Sequence, residues 1–439
     1  MERNGGSGMD RETPNVDPAW LRGMTMKRMS RRQVIKYAGV GAGTMSLSAF
    51  LAACGVKSEK NQGPQGASAE GSPEWWAKQK LAKVCNFTNW PAYIDIDNSK
   101  DGLARRPTLY ALYQATGIEV TYRADINSNE EFYASIRPAL ESGQDTGNDI
   151  IVITNGQELT EMTSLGYLIP LDHSLTPNFN ANVGPTFKDP SYDPGNKYTM
   201  AWQSGMTGLG WNTKYVDQPI TSMRDLMNDK YAGKVSLFGN NADAPALAMV
   251  ELGINPETST PDDWQKAADF LQEFNDWGGL RKWNDQSYLA ALENGDLWAC
   301  MAWSGDVIND KLYYPEFASF EFSTPEAGGV VWTDNMCIPA HAAHPLDAIT
   351  TMDWYYKPDI AAQLTEWNAY VSPVPAGGDI VSADAKAAKG ADAKVLETIA
   401  SSPYVFVPPD LEAKLYSYRV LKGDEIQQWN DLFQPIFIS

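Results

Sequence analysis

The sequence predicts an α/β fold divided into two lobes, and three observations support this prediction. The chain has 439 residues, 43% hydrophobic and 21% charged, so it is long enough for two separate hydrophobic cores. From about residue 81 onwards, short apolar runs alternate with helical patterns, as in the βαβ units of a parallel sheet. An extended segment dotted with glycine, 198–211, then leads into a second series and predicts a strand that crosses between the lobes.

The first series of elements begins with a buried strand at 84–88. A helical pattern at 107–116 ends at a glycine and is followed by a strand at 118–122. A capping box opens the next helix at Ser128, because serine at the N-cap is followed three residues later by glutamate. The uninterrupted apolar run at 149–153 is typical of a strand buried on both faces of a parallel sheet.

Aromatic and hydroxyl side chains follow the ends of these strands. The strand at 84–88 stops at Pro91, because proline has no N–H to donate, and Trp90 and Tyr93 lie just past its carboxyl end. Thr154 follows the last apolar strand in the same way. Ligands of open α/β sheets bind outside the carboxyl ends of strands. The two aromatics therefore either line a ligand site or cap the core of the domain.

The second series shows the same alternation. Asn240 and Asp243 follow its first strand, and Asp306 follows a later one that ends at Trp303. Threonine as N-cap with proline at the next position is typical of a helix start, and predicts one at Pro261. We expect helices at 221–228, from 261, at 286–293 and at 382–394, and strands at 234–238, 297–303 and 328–340.

The charge of the chain limits the kinds of partner it can have. The formal net charge is −20, and residues 1–54 are net basic, so the remaining body is even more acidic. Nucleic acids are excluded as partners, because binding phosphates requires a basic face. Such an acidic body favours a cationic ligand or simply provides solubility.

The N-terminal segment has the order of an export signal. Basic residues around Arg31-Arg32 precede an uncharged stretch at 37–53, which ends in the sequence L-A-A-C-G at Cys54. The paired arginines resemble a twin-arginine signal, although Val34 replaces the usual phenylalanine, and L-A-A-C-G resembles a bacterial lipobox. We expect residues 1–53 to be a signal peptide and Cys54 to be lipidated, which would anchor the protein on the outer face of the cytoplasmic membrane; the alternative is a plain signal anchor.

The polar segment at 54–79 has too few apolar residues to fold, and predicts a flexible tether. The three other cysteines are Cys85, Cys300 and Cys337. We expect them to be small buried hydrophobic residues, although Cys300 and Cys337 lie in strand-like runs that leave a disulfide open.

Motifs of enzymes and metal sites are absent from the sequence. It contains no G-x-S-x-G, H-E-x-x-H or P-loop pattern. It has three histidines, and His341 and His344 follow a strand end in an Ala/Pro loop, which is a poor metal site without nearby acids. Paired carboxylates can hydrolyse glycosides, and Asp306 with Asp334 is the pair that remains to be considered. We expect no enzyme activity, no cofactor and no metal.

An ordered set of short segments resembles the spermidine/putrescine-binding proteins of ABC importers. The resemblance covers about 350 residues of the body. The segments are N-W-x-x-Y-I (89–94), A-T-G-I-x-V (115–120), N-E-E-F-Y-A (129–134), D-I-I-V (149–152), Y-A-G-K-V-S-L-F (231–238), M-A-W-S-G-D (301–306), W-T-D-N-M-C-I-P-A (332–340) and Y-V-S-P-V (370–374).

The resemblance implies the two-lobed type II fold of periplasmic binding proteins, in which crossing strands join the lobes and the lobes close on the ligand like a flytrap. It places lobe 1 at 80–205 plus 333–377 and lobe 2 at 206–332 plus 378–439. The implied function is capture of a polyamine-like cation by a monomer that delivers it to the membrane subunits of an ABC permease. The same fold with another solute, such as a sugar or a thiamine-like cation, is the alternative.

The resemblance also implies a set of ligand-binding residues. Ammonium groups need carboxylates at separated points, and the methylene chain between them needs flat apolar walls; aromatic faces also attract cations, by about 0.5–2 kcal/mol each. Asp334 is notable for another reason, since an unpaired carboxylate in a buried strand is costly, and a ligand amine or a protein arginine is expected as its partner. The residues that match the family are Trp90, Tyr93, Thr154, Asp243, Trp303, Asp306, Trp332, Asp334 and Tyr370.

Three departures from the family pattern bear on the ligand. Asn240 stands where spermidine-binding members have an aspartate, Asn155-Gly156 where they have threonine and tyrosine, and Pro91 where they have a hydroxyl-bearing residue. The loss of one acid and one tyrosine favours a shorter diamine or another cationic amine over spermidine.

Overall fold

The computed structural model describes residues 70–284 and 287–438, and this part of the chain forms one mixed sheet covered by helices. Its strands are β1 (Val84–Thr88), β2 (Glu119–Arg123), β3 (Ile150–Thr154), β4 (Met200–Asn212), β5 (Val235–Phe238), β6 (Leu280–Asn284), β7 (Ala299–Trp303), β8 (Phe320–Ser323), β9 (Gly329–Cys337) and β10 (Leu415–Tyr416).

The α-helices lie before, between and after these strands, together with short 3-10 turns. They are α1 (Pro73–Trp76), α2 (Pro107–Thr116), α3 (Asn129–Glu141), α4 (Gln157–Ser164), α5 (Pro177–Asn182), α6 (Asp243–Glu251), α7 (Pro261–Trp277), α8 (Tyr288–Glu293), α9 (Ser304–Tyr313), α10 (Pro345–Trp354), α11 (Pro358–Asn368), α12 (Ala376–Ala387), α13 (Ala391–Ser401), α14 (Pro409–Glu412) and α15 (Asp424–Phe437).

Two parallel groups of strands flank a pair of long antiparallel strands. The order across the sheet is β2-β1-β3-β9-β4-β7-β5-β6, with β10 beside β9 and β8 beside β4. Strand β1 is parallel to β2 and β3, and β5 is parallel to β6 and β7, as the βαβ patterns predict. Strands β4 and β9 pair with each other and run antiparallel to their outer neighbours β7 and β3. The extended segment predicted at 198–211 therefore joins the two halves of the sheet.

Strand β4 is buried at every position, because it lies at the centre of the sheet and is covered on both faces. Its glycines allow close approach by neighbouring side chains. A Cβ atom on Gly210 would lie 2.8 Å from the Cβ of Ala302 on β7, closer than packed carbon atoms normally approach. The glycine spacing of this strand thus reflects packing across the sheet rather than turns.

Several local expectations are corrected by the structure. The helix expected at 221–228 is replaced by two 3-10 turns, Met223–Leu226 and Asp229–Tyr231, since Asn228 begins the second turn by capping Lys230. The helix expected at 382–394 is two helices, α12 and α13, separated at Gly390, which has a φ of +67°. The helices predicted at 107–116 and from Pro261 are confirmed.

The three cysteines of the described residues are buried and free. Cys300 lies on β7 and Cys337 on β9, and the central strand β4 lies between these two strands. The disulfide that the sequence left open is therefore not formed. Burial raises the pKa of the Cys337 thiol well above its usual value, which keeps it protonated.

The N-terminal predictions fall largely on residues that the structure does not describe, because the signal peptide at 1–53 and Cys54 lie outside the described residues. The end of the predicted tether packs on the body: Trp76 is buried and its indole Nε1 donates a hydrogen bond to the Pro170 carbonyl, 3.0 Å away. Within the described ranges, no helix has the length and hydrophobicity needed to cross a membrane.

A buried carboxylate fixes the entry of the chain into β1. Asp347, in the first turn of α10, accepts hydrogen bonds from the backbone N–H groups of Ala82 at 2.8 Å and Lys83 at 2.9 Å. We expect Asp347→Ala to lower the free energy of unfolding by about 1.5–3 kcal/mol, because hydrogen bonds to a charged group are lost. Denaturant titration measures this change.

Asp217→Ala is the matched control, since Asp217 is exposed and its loss should change stability by less than about 0.5 kcal/mol. Equal stability of the Asp347→Ala variant and the wild type would contradict the role of Asp347.

Candidate functional site

A cavity of about 240 Å³ lies at the carboxyl ends of β1, β3 and β5, beside the crossing strand β9. This is the position at which ligands bind in open α/β sheets. The structure places all but one of the nine predicted ligand-binding residues on the wall of this single cavity. They are Trp90, Tyr93, Thr154, Asp243, Trp303, Trp332, Asp334 and Tyr370. The structure brings these eight residues together, and their role in binding stays a prediction.

Trp90 and Tyr93 form the part of the wall that follows β1. Trp90 is 9% exposed and Tyr93 is 3% exposed, and both belong to the hydrophobic core as well as to the cavity lining. The turn between them contains Ala92 with a φ of +56°, an unusual conformation for a residue with a side chain. The two interpretations of these aromatics, core cap or site wall, are therefore compatible.

Asp334 lies in the middle of β9 and is 5% exposed. The sheet register places it directly beside Thr154 of β3, whose hydroxyl donates a hydrogen bond of 2.6 Å to the Asp334 carboxylate. The Tyr93 hydroxyl donates a second one of 2.7 Å. These two hydroxyl groups fix the orientation of the carboxylate.

Asp243 is the second buried carboxylate on the cavity wall, 4% exposed, at the first position of α6. Its carboxylate accepts hydrogen bonds from the hydroxyls of Thr207 and Tyr418, the latter at 2.7 Å, and from the side-chain amide of Asn240 at 3.0 Å. Burial raises the pKa of Asp243 above its usual value, while these donors and Trp303 act in the opposite direction. Burial and the charge of Asp243 also raise the pKa of Tyr418, so that it stays a donor.

Asn240 has a structural role at this corner. Its side-chain oxygen accepts hydrogen bonds from the backbone N–H groups of Ala242 at 3.0 Å and Asp243 at 2.7 Å. These contacts form the turn that leads into α6 and aim Asp243 at its donors. The asparagine that departs from the family pattern therefore positions the neighbouring acid.

Aromatic rings from the end of β7, from β9 and from the loop after α11 form a continuous wall. The ring centroids of Trp303 and Trp332 are 6.4 Å apart, and those of Trp332 and Tyr370 are 5.5 Å apart. Gly205 of β4 lies against two of these rings: a Cβ atom there would approach Trp332 to 2.6 Å and Tyr370 to 2.8 Å. Glycine at this position is therefore a packing requirement of the wall.

Asp306 is the one predicted site residue that is not on the cavity wall. It lies in the first turn of α9, 5% exposed, where it accepts hydrogen bonds from the hydroxyls of Tyr370 at 2.8 Å and Tyr288 at 2.9 Å. The Tyr288 hydroxyl in turn accepts the backbone N–H of Trp303 at 3.1 Å. Because α9 begins directly after Trp303, Asp306 lies behind the wall and positions its aromatic residues.

The cavity also has lining residues that the sequence did not reveal as such. They are mostly polar and include Glu130, Glu158, Asn241, Asn284, Tyr418, Arg419 and Trp429. Glu130 and Glu158 lie in the first turns of helices that follow strand ends, which is a signal that could have identified them. Tyr418 and Trp429 come from the C-terminal part of the chain, where no local pattern indicates a cavity.

Arg419 brings a positive charge to the wall, but Glu425 balances it through an ion pair of 2.7 Å. No group of three or more His, Cys, Asp or Glu residues in the described chain could hold a metal ion. The cavity therefore combines acids, hydroxyls and aromatic faces, a composition that can bind an organic cation by charge, hydrogen bonds and cation–π contacts.

Comparisons with known proteins agree with this description. The family model of bacterial extracellular solute-binding proteins matches residues 110–393, more than half of the chain. The spermidine/putrescine-binding periplasmic protein of Escherichia coli is 25% identical over 297 residues, which cover 67% of this chain and 79% of that protein. The putrescine-binding periplasmic protein PotF of Escherichia coli is 26% identical over 355 residues, 77% of this chain and 87% of that protein.

A solved structure extends the likeness to the fold. The spermidine/putrescine ABC transporter substrate-binding protein PotD of Streptococcus pneumoniae superposes with a TM-score of 0.64 at 21% identity, covering 81% of this chain and 98% of that protein. The predicted fold class, the α/β fold of two-lobed type II solute-binding proteins, is thereby confirmed.

The raised pKa of Asp243 leads to a prediction about stability and pH. The folded protein holds the Asp243 proton more tightly than the unfolded chain. The free energy of unfolding therefore falls as pH rises from the pKa of the unfolded chain through the higher pKa of the folded protein. Asp243→Asn removes this titration while keeping an acceptor oxygen. We therefore expect the ligand-free variant to be more stable than the wild type at pH 7, and thermal denaturation measures the difference.

At pH 3, where the carboxyl is protonated in both states, this advantage should vanish. An Asp243→Asn variant that is less stable than the wild type at pH 7 would show that the donors outweigh the cost of burying the charge.

Proposed function

The chain belongs to the family of bacterial extracellular solute-binding proteins, and from this premise we propose that it captures a polyamine-like cation and delivers it to an ABC permease. Proteins of this family bind solutes for transport and are not enzymes, and they act outside the cytoplasm. The observation that carries the proposal is a buried carboxylate, Asp243, held by neutral donors in the wall of an aromatic cavity.

A buried carboxylate with neutral donors keeps its charge at a cost, because removal from water disfavours the ionised form. A ligand ammonium group in the cavity offsets this cost by supplying the opposite charge. Asp334, the second buried acid of the wall, is oriented by Tyr93 and Thr154. Two acids on different elements, Asp243 at the start of α6 and Asp334 on β9, suit a ligand with two separated cationic groups.

The aromatic wall suits the remainder of such a ligand. The rings of Trp303, Trp332 and Tyr370 offer flat apolar faces for a methylene chain, and each face also attracts a nearby cation. In this proposal Trp90, Tyr93, Thr154, Asp243, Trp303, Trp332, Asp334 and Tyr370 contact the ligand, and Asp306 holds the aromatic wall from behind.

The names of the relatives support the class of ligand. Several of them are spermidine/putrescine-binding or putrescine-binding periplasmic proteins, and one from Pseudomonas aeruginosa is a putrescine/agmatine-binding protein. All of these solutes are aliphatic amines that carry more than one positive charge. This agreement favours a polyamine-like cation over a sugar as the solute.

We further propose that two lobes close on the ligand, with 80–205 plus 333–377 as the first lobe and 206–332 plus 378–439 as the second. Closure would bring the two proposed lobes into contact, and Asn155 of the first donates a side-chain hydrogen bond of 3.1 Å to the Ser417 hydroxyl of the second. In the same proposal a twin-arginine signal exports the chain, Cys54 is lipidated, and residues that follow it tether a monomeric body near the permease.

The substitution Asp334→Asn tests the proposed function by removing the negative charge of one side chain in the cavity wall. We expect wild-type protein to bind putrescine or spermidine in isothermal titration calorimetry, and the variant to bind at least about tenfold more weakly. The reason is that loss of one member of a buried charge pair costs about 2–5 kcal/mol.

Asp217→Asn, at an exposed position, is the control and should leave the affinity unchanged. Normal binding by the Asp334→Asn variant would show that Asp334 is not a ligand contact. Failure of the wild type to bind any cationic amine would refute the proposed function.

A further inference from the structure

One carboxylate of the cavity is not needed to explain the capture of a diamine. Glu158 lies in the first turn of α4, shortly after Thr154, and lines the cavity. Its side chain is half-buried, in contrast to the buried Asp243 and Asp334. A solute in the cavity can therefore contact the Glu158 carboxylate while this side chain stays partly exposed.

The Glu158 carboxylate has few partners in the protein. Apart from its own backbone N–H, neither a hydrogen-bond donor nor a basic side chain from the described residues contacts it. Burial raises the pKa of Glu158 to about 7, and the nearby carboxylates of Glu130 and Glu161 add to this effect. A positive charge beside Glu158 would lower its pKa again, because a cation stabilises the ionised carboxylate. A cation is therefore bound favourably at this position.

Space is available beside this acid. Gly156 precedes α4 in an extended conformation with a φ of 166°, and a Cβ atom there would meet no other atom within 4 Å. The resemblance to spermidine/putrescine-binding proteins leads one to expect a tyrosine at this position. Glycine leaves that volume open to the solute.

The charges of the cavity lining point the same way. Four carboxylates line it, and the one lining base among the described residues, Arg419, is paired with Glu425. The four are Glu130, Glu158, Asp243 and Asp334. A diamine brings two positive charges to these acids and leaves part of their negative charge unbalanced, whereas a triamine balances more of it. Alkyl ammonium groups resemble lysine, with a pKa of about 10.4, and stay charged at neutral pH.

We propose that Glu158 is a specificity-determining residue that binds a third ammonium group, so that the cavity prefers a linear triamine to a diamine. This inference rests on the proposed function and concerns the same cavity. It revises the expectation of a shorter diamine, which followed from Asn240 in place of an acid. In the structure, Glu158 adds a carboxylate to the cavity wall at the helix that follows β3.

Glu158→Gln tests the proposal, with putrescine as the diamine and spermidine as the triamine in calorimetric titrations of the purified full chain. We expect the wild type to bind spermidine more tightly than putrescine. In the variant, the ratio of the two affinities should fall by about fivefold or more, because an ionic contact to the third ammonium group is lost. The affinity for putrescine should stay within about twofold, which a general loss of structure would not allow.

Glu131→Gln is the matched control, since Glu131 also lies in the first turn of a helix. It is exposed and does not line the cavity, so its substitution should leave the ratio unchanged. An unchanged ratio in the Glu158→Gln variant, or a wild type that prefers putrescine, would overturn the proposal. Absence of binding of both amines to the wild type would instead refute the proposed function, and the proposal with it.

Discussion

The hydrogen bonds from Tyr93 and Thr154 to the Asp334 carboxylate join three distant parts of the chain into one cavity wall. Tyr93 follows β1, Thr154 ends β3, and Asp334 lies in the middle of the long strand β9. A one-residue shift of β9 against β3 would turn Asp334 to the other face of the sheet and break both contacts. The position of the acid in the cavity therefore depends on the register of the sheet, and the whole buried core of that sheet maintains it.

The second acid, Asp243, is also oriented by side-chain hydrogen bonds, but from other parts of the chain. The Asp243 carboxylate accepts hydrogen bonds from Thr207 on the crossing strand β4, from Asn240 in the turn before α6, and from Tyr418 near the C-terminus. These three donors are neutral, so they orient the charge of Asp243 without cancelling it. Burying a carboxylate in the cavity wall lowers the stability of the folded protein. A bound cation offsets this loss, because it interacts with the carboxylate in the folded state. Gly205 contributes on the apolar side, because it lets Trp332 and Tyr370 pack against the strand backbone.

Local patterns of the sequence predict the parallel strands and the crossing strand, because strand ends and helix starts are set by nearby residues. The resemblance to the polyamine-binding family, rather than these patterns, implied the set of ligand-binding residues, eight of which line the cavity. Asp306 differs from the other eight because the start of α9 places its carboxylate off the cavity wall, where it accepts a hydrogen bond from Tyr370. Tyr418 and Glu158 were missed for different reasons. Tyr418 reaches Asp243 through a contact between residues far apart in the chain, and Glu158 shows its role only once the open space at Gly156 is known.

The most direct test of the account is a crystal structure of the protein with bound putrescine, at a resolution that shows the two nitrogen atoms. The account predicts one nitrogen atom within hydrogen-bond distance of the Asp334 carboxylate and the other within reach of Asp243. The methylene chain should lie against the rings of Trp332 and Tyr370. Putrescine bound in this cavity with both nitrogen atoms away from the two aspartates, or bound elsewhere on the protein, would contradict the account.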